Sequence, residues 1–382
     1  MRYLGRVNLP PELIVRPGYL VGGAVRDLLL GRTPVDFDYV VPNPLQTAQE
    51  LEGRGGRVVV LDPDWGHYRV LYRGYILDFT PLNTDLVSEL KRRDFTINTV
   101  YATASRAAYG LPLALYDLDH RILRAFRERN LTDDRLRAWR AVRLAVELGF
   151  HLESRTAVWI RESIHLPRPA PERIQLELIR ILRHPRAAYG MRLAARLGLL
   201  VDLPGAGADR FYGLAELIRI YPQAGLPARL ALLFSSVAEA EATLTQLRLP
   251  ARSVREAVQI LASFTSEQPE LVAEKARAKF VDYWAAARAR GVAWAAGLSQ
   301  SQALFLQEKV LAPLLLNGNQ VMDELGISAG PILGELLRAL RQAQALGEVG
   351  THQEALQFVH YFYEAQVAGA RSAPGARGDC DP

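Results

Sequence analysis

The sequence is poor in cysteine, in lysine and in long apolar runs. One cysteine, Cys380, stands in 382 residues and lies in a polar C-terminal stretch. That excludes a disulfide framework and a cysteine-based zinc site within one chain. The seven histidines include no His-Asp dipeptide and no metal-ligand spacing, so a metal-dependent phosphohydrolase domain is not expected. No stretch approaches the roughly 20 apolar residues that span a bilayer. The opening MRYLGRVNLPPEL lacks the apolar core of a signal peptide. A cytoplasmic protein with no membrane partner is the expectation. Of 46 basic residues only Lys91, Lys275, Lys279 and Lys309 are lysine, and the rest are arginine. Arginine suits bidentate contact with phosphate, but a GC-rich genome gives the same bias. The net charge of +5 permits a nucleic-acid partner without demonstrating one.

What is present is a chain 49% hydrophobic, enough for a substantial core in two to four domains. Short β-like runs at 19–21, 37–41, 58–61, 68–72 and 75–79 mix with a helical run at 46–51. Gly74 separates the last two runs, as a hairpin turn requires. After about residue 126 the β pattern fades, and helical spacing takes over at 131–148, 172–182, 187–199, 229–247, 253–261, 273–290 and 332–345. The class changes there from α+β to all-α, which marks a boundary. Pro-Gly and Gly-Ala elements near 204–207 mark another. The end, ARSAPGARGDCDP, reads as disordered.

The chemistry concentrates in residues 18–41, GYLVGGAVRDLLLGRTPVDFDYVV. Asp36 and Asp38 flank Phe37 in a strand-like run, so both carboxylates share a face and Phe37 takes the other. Carboxylates that close repel each other unless a cation intervenes. Such oxygen ligands suit Mg²⁺ completed by substrate phosphates; a solvated strand edge is the plain alternative. Gly22 and Gly23 follow a strand and open a helix predicted over 24–30, where bare backbone N–H groups make an anion site. Arg26 in its first turn adds a charge-assisted phosphate contact; Asp27 either holds Arg26 or merely starts the helix. A phosphate cradle beside a two-carboxylate metal site is equipment for nucleotidyl transfer. Further along, Leu136, Trp139, Val142 and Val146 form an apolar stripe. Asp134, Arg137, Arg140 and Arg143 recur every three residues beside it, and alone they read as a charged outer face. Thr132 or Asp133 can cap this helix.

These residues carry a resemblance. Val-Gly-Gly-Ala-Val-Arg-Asp at 21–27, Leu-Leu-Gly at 29–31 and Asp36-Phe37-Asp38 resemble the signature of class II tRNA nucleotidyltransferases and bacterial poly(A) polymerases. These enzymes belong to the DNA polymerase β-like superfamily. KRRDFTIN at 91–98 resembles the family's Arg-Arg-Asp motif. Asp133-Asp134-Arg135-Leu136-Arg137 resembles its Glu-Asp-x-x-Arg motif, with Asp133 one methylene short of the family's glutamate. Pro171-Glu172-Arg173-Ile174 resembles the neck-helix Glu-Arg-Ile. The ordered match runs from residue 18 to near residue 205, with weaker similarity at 318–334.

The resemblance implies an α+β fold: a polymerase β-like head with a mixed sheet (1–125), then an all-α neck (126–205), body (206–300) and tail (301–368), with 369–382 disordered. It implies a Mg²⁺ site at Asp36 and Asp38. Gly22, Gly23 and Arg26 would cradle a triphosphate. Arg93 would contact the nucleotide, and Asp94 would bind ribose or orient Arg93, with Asn98 a structural cap. Asp134 and Arg137 would read the pairing edge of cytosine, while Arg140 and Arg143 would meet the triphosphate or brace that pair. Asp78 aligns with a third acidic position, as base or metal helper, or is a plain hairpin-end aspartate. Tyr212, Tyr221, Trp284, Trp294, Phe305 and Tyr361 are expected in the core. The implied partners are tRNA, gripped at its acceptor and TΨC arms, and CTP, with ATP as the other candidate.

Four products are open: CC addition, full CCA addition, A addition and poly(A) synthesis. Relatives that add all three nucleotides carry a flexible loop before Arg-Arg-Asp. Here YILDFTPLNTDLVSELK runs from a strand almost directly into Arg92, which resembles CC-adding enzymes that work beside a separate A-adding enzyme. LPLALYDLDHR at 111–121 also lacks the family's Asp-Pro…Gly-Gly insertion, implying a trimmed head. A tRNA-binding protein that has lost catalysis is the reading of a different class; intact Asp36, Asp38, Arg93 and Asp134 argue against it.

Overall fold

A computed structural model describes residues 1–371 apart from Thr84, without the side chains of 366–371. The chain divides into two compact units, Met1–Pro204 and Gly205–Pro382. The first opens with strands β1 (Arg2–Arg6), β2 (Tyr19–Val21), β3 (Asp36–Val41), β4 (Arg57–Asp62), β5 (His67–Tyr72), β6 (Tyr75–Pro81), β7 (Val100–Ala102) and β8 (Ala107–Gly110). They form one sheet in the order β1-β8-β7-β2-β3-β6-β5-β4. Every pairing is antiparallel except β3 with β6, which run parallel with Asp38 level with Asp78.

Between the strands lie α1 (Gly23–Leu29), α2 (Pro44–Glu52), α3 (Leu86–Lys91) and α4 (Pro112–Asp119). β3 holds its place because Phe37, Tyr39, Val40 and Val41 are all buried, Tyr39 stacking on Phe79 with centroids 5.4 Å apart. Asp36 and Asp38, alternating with them, stay exposed. The β5–β6 turn places Arg73 and Gly74 at φ of 50° and 83°, a left-handed pair that matches the hairpin read from Gly74.

The remainder of this unit is helical: α5 (Arg129–Thr132), α6 (Leu136–Leu148), α7 (Ser154–Glu162), α8 (Pro171–Arg183) and α9 (Ala187–Arg196). The stripe predicted on α6 is its core face: Trp139, Val142 and Val146 are fully buried and Leu136 nearly so. Gly190 lets α9 approach closely, since a Cβ there would lie 2.7 Å from Val146 and 2.8 Å from Ile181. Trp139 Nε1 donates to Asp202 (2.9 Å), whose other carboxylate oxygen takes Arg135 (2.9 Å). This buried group ties the start of α6 to the chain just before the division at Pro204.

The Gly205 unit contains α10 (Phe211–Ile220), α11 (Leu226–Ala231), α12 (Val237–Gln246), α13 (Ala251–Ser263), α14 (Pro269–Ala276), α15 (Phe280–Ala289), α16 (Ala293–Ala296), α17 (Gln300–Leu311), α18 (Gly318–Leu325), α19 (Pro331–Leu346) and α20 (His352–Arg371). α18, α19 and α20 share a core built on Leu316, Val321, Leu336, Leu340 and Val359.

Several expectations are corrected. The run 131–148 is two helices, because Asp134 captures the Leu136 N–H (3.1 Å) and breaks it; neither Thr132 nor Asp133 is the cap. The run 229–247 divides where Ser236 caps α12, and 273–290 divides at Arg277, which takes φ of 51°. Strand pairing does not end by residue 126, since Ile122–Leu123 pairs in parallel with His151–Leu152. Trp284 and Trp294 are buried as expected, but Tyr212, Phe305 and Tyr361 are exposed, on faces their helices leave outside. α20 continues to Arg371, so 369–371 are helical; the rest of the segment read as disordered, 372–382, lies outside the described residues.

Candidate active site

A cleft of about 550 Å³ in the first unit gathers most of the residues singled out by sequence. Asp36 and Asp38 enter from β3, Gly23, Arg26 and Asp27 from α1, Arg92, Arg93, Asp94 and Asn98 from the segment after α3, and Arg137, Arg140 and Arg143 from α6. Gly22 stands at the mouth of α1 with φ of 74°, and its N–H donates to Val100 O (2.9 Å). A Cβ on Gly22 would lie 2.1 Å from Arg93 Nη1, so the guanidinium lies against bare backbone.

Arg93 points its Nη1 at Asp38 Oδ2 from 3.8 Å, too far for a hydrogen bond. Its Nε–H is buried with no partner among the described residues. A buried donor without an acceptor costs free energy that an anion entering the cleft would recover. Desolvation in the cleft holds the Asp38 carboxyl above its ordinary range; the carboxylates of Asp78 and Asp36 add to the shift, while Arg93 and Arg140 oppose it. A group so placed is relieved by a cation.

Among the described residues no three His, Cys, Asp or Glu side chains converge as a ready metal cage. A two-carboxylate site completed by substrate oxygens is what Mg²⁺ ordinarily uses, and Asp36 and Asp38 fit it. Asp78 is level with Asp38 across the parallel pair but is engaged by Arg69 through two hydrogen bonds of 2.7 and 2.8 Å.

The α6 side of the cleft is arranged differently. Arg26 gives Nε to Asp27 (2.9 Å) and Nη1 to Asn98 Oδ1 (2.7 Å). Asn98 Nδ2 donates to Asp94 Oδ1 (2.8 Å), and Asp94 Oδ2 meets Arg140 Nη1 at 3.2 Å. Arg140 Nε faces Glu177 at 3.7 Å; Glu177 also takes Arg143 Nε, and Arg143 Nη1 donates to Glu147 (2.7 Å). One polar chain thus links α1, the 94–98 turn, α6 and α8. Burial works against ionised Asp94, but Arg140, Asn98 and the Phe95 N–H outweigh it and hold its carboxyl below the usual range. Burial likewise opposes Arg143, and Glu177 and Glu147 overcome it.

The structure therefore gives Asp94 the partner Arg140 rather than Arg93, and makes Asn98 a link in the chain rather than a cap. Arg143 lines the cleft but is mostly buried and doubly paired, to Glu177 and Glu147. Arg137 lines the cleft and donates to Asn130 O. Asp134 turns to Arg173 of the Glu-Arg-Ile segment, Oδ2 to Nη2 2.6 Å, while its neighbour Asp133 lines the cleft. Sequence reasoning missed Glu177 and Glu147, and it named Arg173 only as part of the Glu-Arg-Ile motif, without its pairing to Asp134. Glu177 alone left a signal, a carboxylate inside the buried stripe Ile174–Leu178–Ile181.

Comparison with known proteins now bears on this arrangement. The family of the poly A polymerase head domain matches residues 18–89, that of the RNA and SrmB-binding site of polymerase A matches 149–207, and that of tRNA nucleotidyltransferase domain 2 matches 228–359. A CC-adding tRNA nucleotidyltransferase of Thermus thermophilus is 36% identical over 95% of this chain and 98% of its own. This chain belongs to the class II tRNA nucleotidyltransferases. It is an enzyme of that type. An A-adding tRNA nucleotidyltransferase of Deinococcus radiodurans is 34% identical over 94% of this chain and 98% of its own, so identity alone does not separate the two specificities. Among solved structures, a Bacillus stearothermophilus CCA-adding enzyme in complex with CTP superposes with a TM-score of 0.73 at 26% identity, over 92% of this chain and 94% of the other. No helix among the described residues is long and apolar enough to cross a membrane.

Proposed function

We propose that this tRNA nucleotidyltransferase transfers CMP from CTP, twice, to the 3′ end of tRNA and releases pyrophosphate at each step. The observation that carries the CC assignment is the connection between β6 and α3. Only residues 82–85 join them, and α3 leads straight into Arg92 and Arg93. Nothing there has the length to swing over the cleft and recast it for a second base. The third nucleotide then falls to a separate A-adding enzyme.

Asp36 and Asp38 would hold Mg²⁺, which would supply a lowered pKa at the primer's 3′-hydroxyl and charge stabilisation at the reacting phosphorus. The chain's own groups do the positioning. The unpartnered Nε–H of Arg93 and the cleft faces of Arg26 and Arg140 receive triphosphate oxygens, beside the bare backbone of Gly22 and Gly23. Because Asp27, Asn98 and Asp94 already hold Arg26 and Arg140, those guanidinia are in place before the nucleotide arrives. Asp78, held by Arg69, keeps negative charge beside Asp38 and so favours the cation.

Base selection belongs to Asp134 and Arg137. Cytosine offers an amino donor to a carboxylate and two acceptors to a guanidinium. Asp134 parts from Arg173 as CTP enters, and Arg173 returns it to the resting position afterwards. The helices of the Gly205 unit contact the acceptor and TΨC arms through shape and individual phosphate contacts. The test supplies tRNAs ending before the first C, after the first C and after the second, each with CTP or ATP alone. CMP incorporation on the first two and no AMP on the third supports the assignment; efficient AMP addition to the third overturns it, and a long A tract would indicate poly(A) synthesis.

A further inference from the structure

A second cleft of about 520 Å³ adjoins the first, and the two share Glu89 and Arg92 as a common wall. Its rim carries Trp65, two-thirds exposed at the tip of the β4–β5 hairpin. An indole held out in solvent at a hairpin tip contributes nothing to the core, yet its backbone is fixed, since the Trp65 N–H donates to Asp62 (3.1 Å).

The same cleft has a basic lining tied together by hydrogen bonds. Lys91, Arg92 and Arg127 line it, against Glu89 as the one carboxylate among its lining residues. Buried Asn130 gathers them. Its amide donates to the carbonyls of Lys91 (2.8 Å) and Arg93 (2.6 Å), and its oxygen accepts the Arg127 N–H (3.1 Å). Glu89 pairs with Arg92, which leaves Lys91 and Arg127 to supply the excess positive charge.

The sheet links this cleft to the carboxylates. Arg69 is level with Asp78, itself level with Asp38. His67, another wall residue, stands one pleat further along β5 on the same face, about 7 Å on. Trp65 lies beyond it. Asp38, Asp78, Arg69 and His67 thus share one face of the sheet, and Trp65 stands just past the end of β5 among the residues lining the second cleft.

We infer that this second cleft binds the unpaired 3′ strand of the acceptor RNA just upstream of the reacting end, with one base stacked on Trp65 and backbone phosphates taken by Lys91 and Arg127. Aromatic stacking with flanking cations is the sequence-tolerant way to hold single-stranded nucleic acid. A strand held there can shift as it grows while its 3′ end stays at Asp36 and Asp38. The inference rests on the reading that the acceptor is RNA.

Fluorescence anisotropy of a tRNA acceptor minihelix ending at its discriminator nucleotide reads the site directly in the full chain, with CTP binding followed separately by calorimetry. Trp65→Ala should raise the minihelix Kd about tenfold, with CTP affinity unmoved, and Trp65→Phe should recover most of the loss because a ring remains. Lys91→Ala and Arg127→Ala should each lower the slope of log K against log salt by about 0.7. An unchanged minihelix Kd in Trp65→Ala, or an equal loss of CTP affinity, overturns the inference. Failure of the RNA reading is visible elsewhere, as a wild-type enzyme that neither binds the minihelix nor extends it.

Discussion

The two walls of the catalytic cleft are built on opposite electrostatic plans. On the β3 wall, Asp36 and Asp38 open onto the cleft beside Asp78, and desolvation within the cleft together with like charge holds the Asp38 carboxyl high. On the α6 wall, charge is equally dense but nearly all of it is paired, from Asp27 through Asn98, Asp94, Arg140 and Glu177 to Glu147. On the proposed mechanism the first wall is completed only by a cation and phosphates; the second is assembled in advance. The difference separates the group that must answer charge developing in the reaction from the groups that must not move while it develops.

The contrast can be broken most severely on the β3 wall. Asp38→Asn should lower CMP transfer by about three orders of magnitude, the scale of deleting one preorganised transition-state contact. Without metal it should also raise the thermal midpoint. The folded pKa of Asp38 lies above its unfolded value, so ionisation costs stability that accumulates as pH rises through that interval. The gain in Asp38→Asn therefore grows as pH rises through the folded value and vanishes as pH falls below about 3.9. Thermal melts across pH, with and without Mg²⁺, check both halves; a midpoint below that of wild type at neutral pH would contradict the contrast.

On the α6 wall the sign reverses. Asp94→Ala leaves Asn98 and Arg140 without their acceptor and should cost about 2–4 kcal/mol in urea unfolding. Asp94 has a depressed carboxyl pKa, so its contribution is complete above the unfolded value near 3.9 and is lost as pH falls through the folded one. Asp94→Asn should accordingly flatten the acid limb of the stability profile. Gly22→Ala sharpens the comparison by touching both walls. Its Cβ would collide with Arg93 at a left-handed φ, so a loss of about 1–2 kcal/mol in stability and a tenfold or greater fall in kcat/KM for CTP are expected. The smallest effect belongs to Arg173→Met. Freeing Asp134 should reduce discrimination between CTP and UTP by about threefold to tenfold, since the pair is exposed and its energy is screened.

The β3 wall was largely legible in the sequence, and the α6 wall only in part. Alternation around Phe37 is a property of the strand itself, so the shared face of Asp36 and Asp38 follows from three consecutive residues. β7 and β8 escaped because VYA and AAYG are too short and too small to show a pattern. β1 escaped because its alternate residues are not buried. On α6 the apolar stripe and the arginine spacing are local and readable. The partners are not: Asp94 lies more than forty residues from Arg140, and Glu177 more than thirty from Arg143. The helix break at Asp134 was hidden for a related reason. Periodicity sees a continuous stripe, whereas a short carboxylate that seizes a backbone N–H competes with the helix and wins locally.

The most direct measurement of the central claim is the length and sequence of the product formed when tRNA lacking its 3′-terminal CCA is incubated with enzyme, Mg²⁺, CTP and ATP together. The account expects extension by two cytidines and a stop, on the proposal that the four-residue link before α3 is too short to recast the cleft for adenine. A product ending in CCA would contradict it.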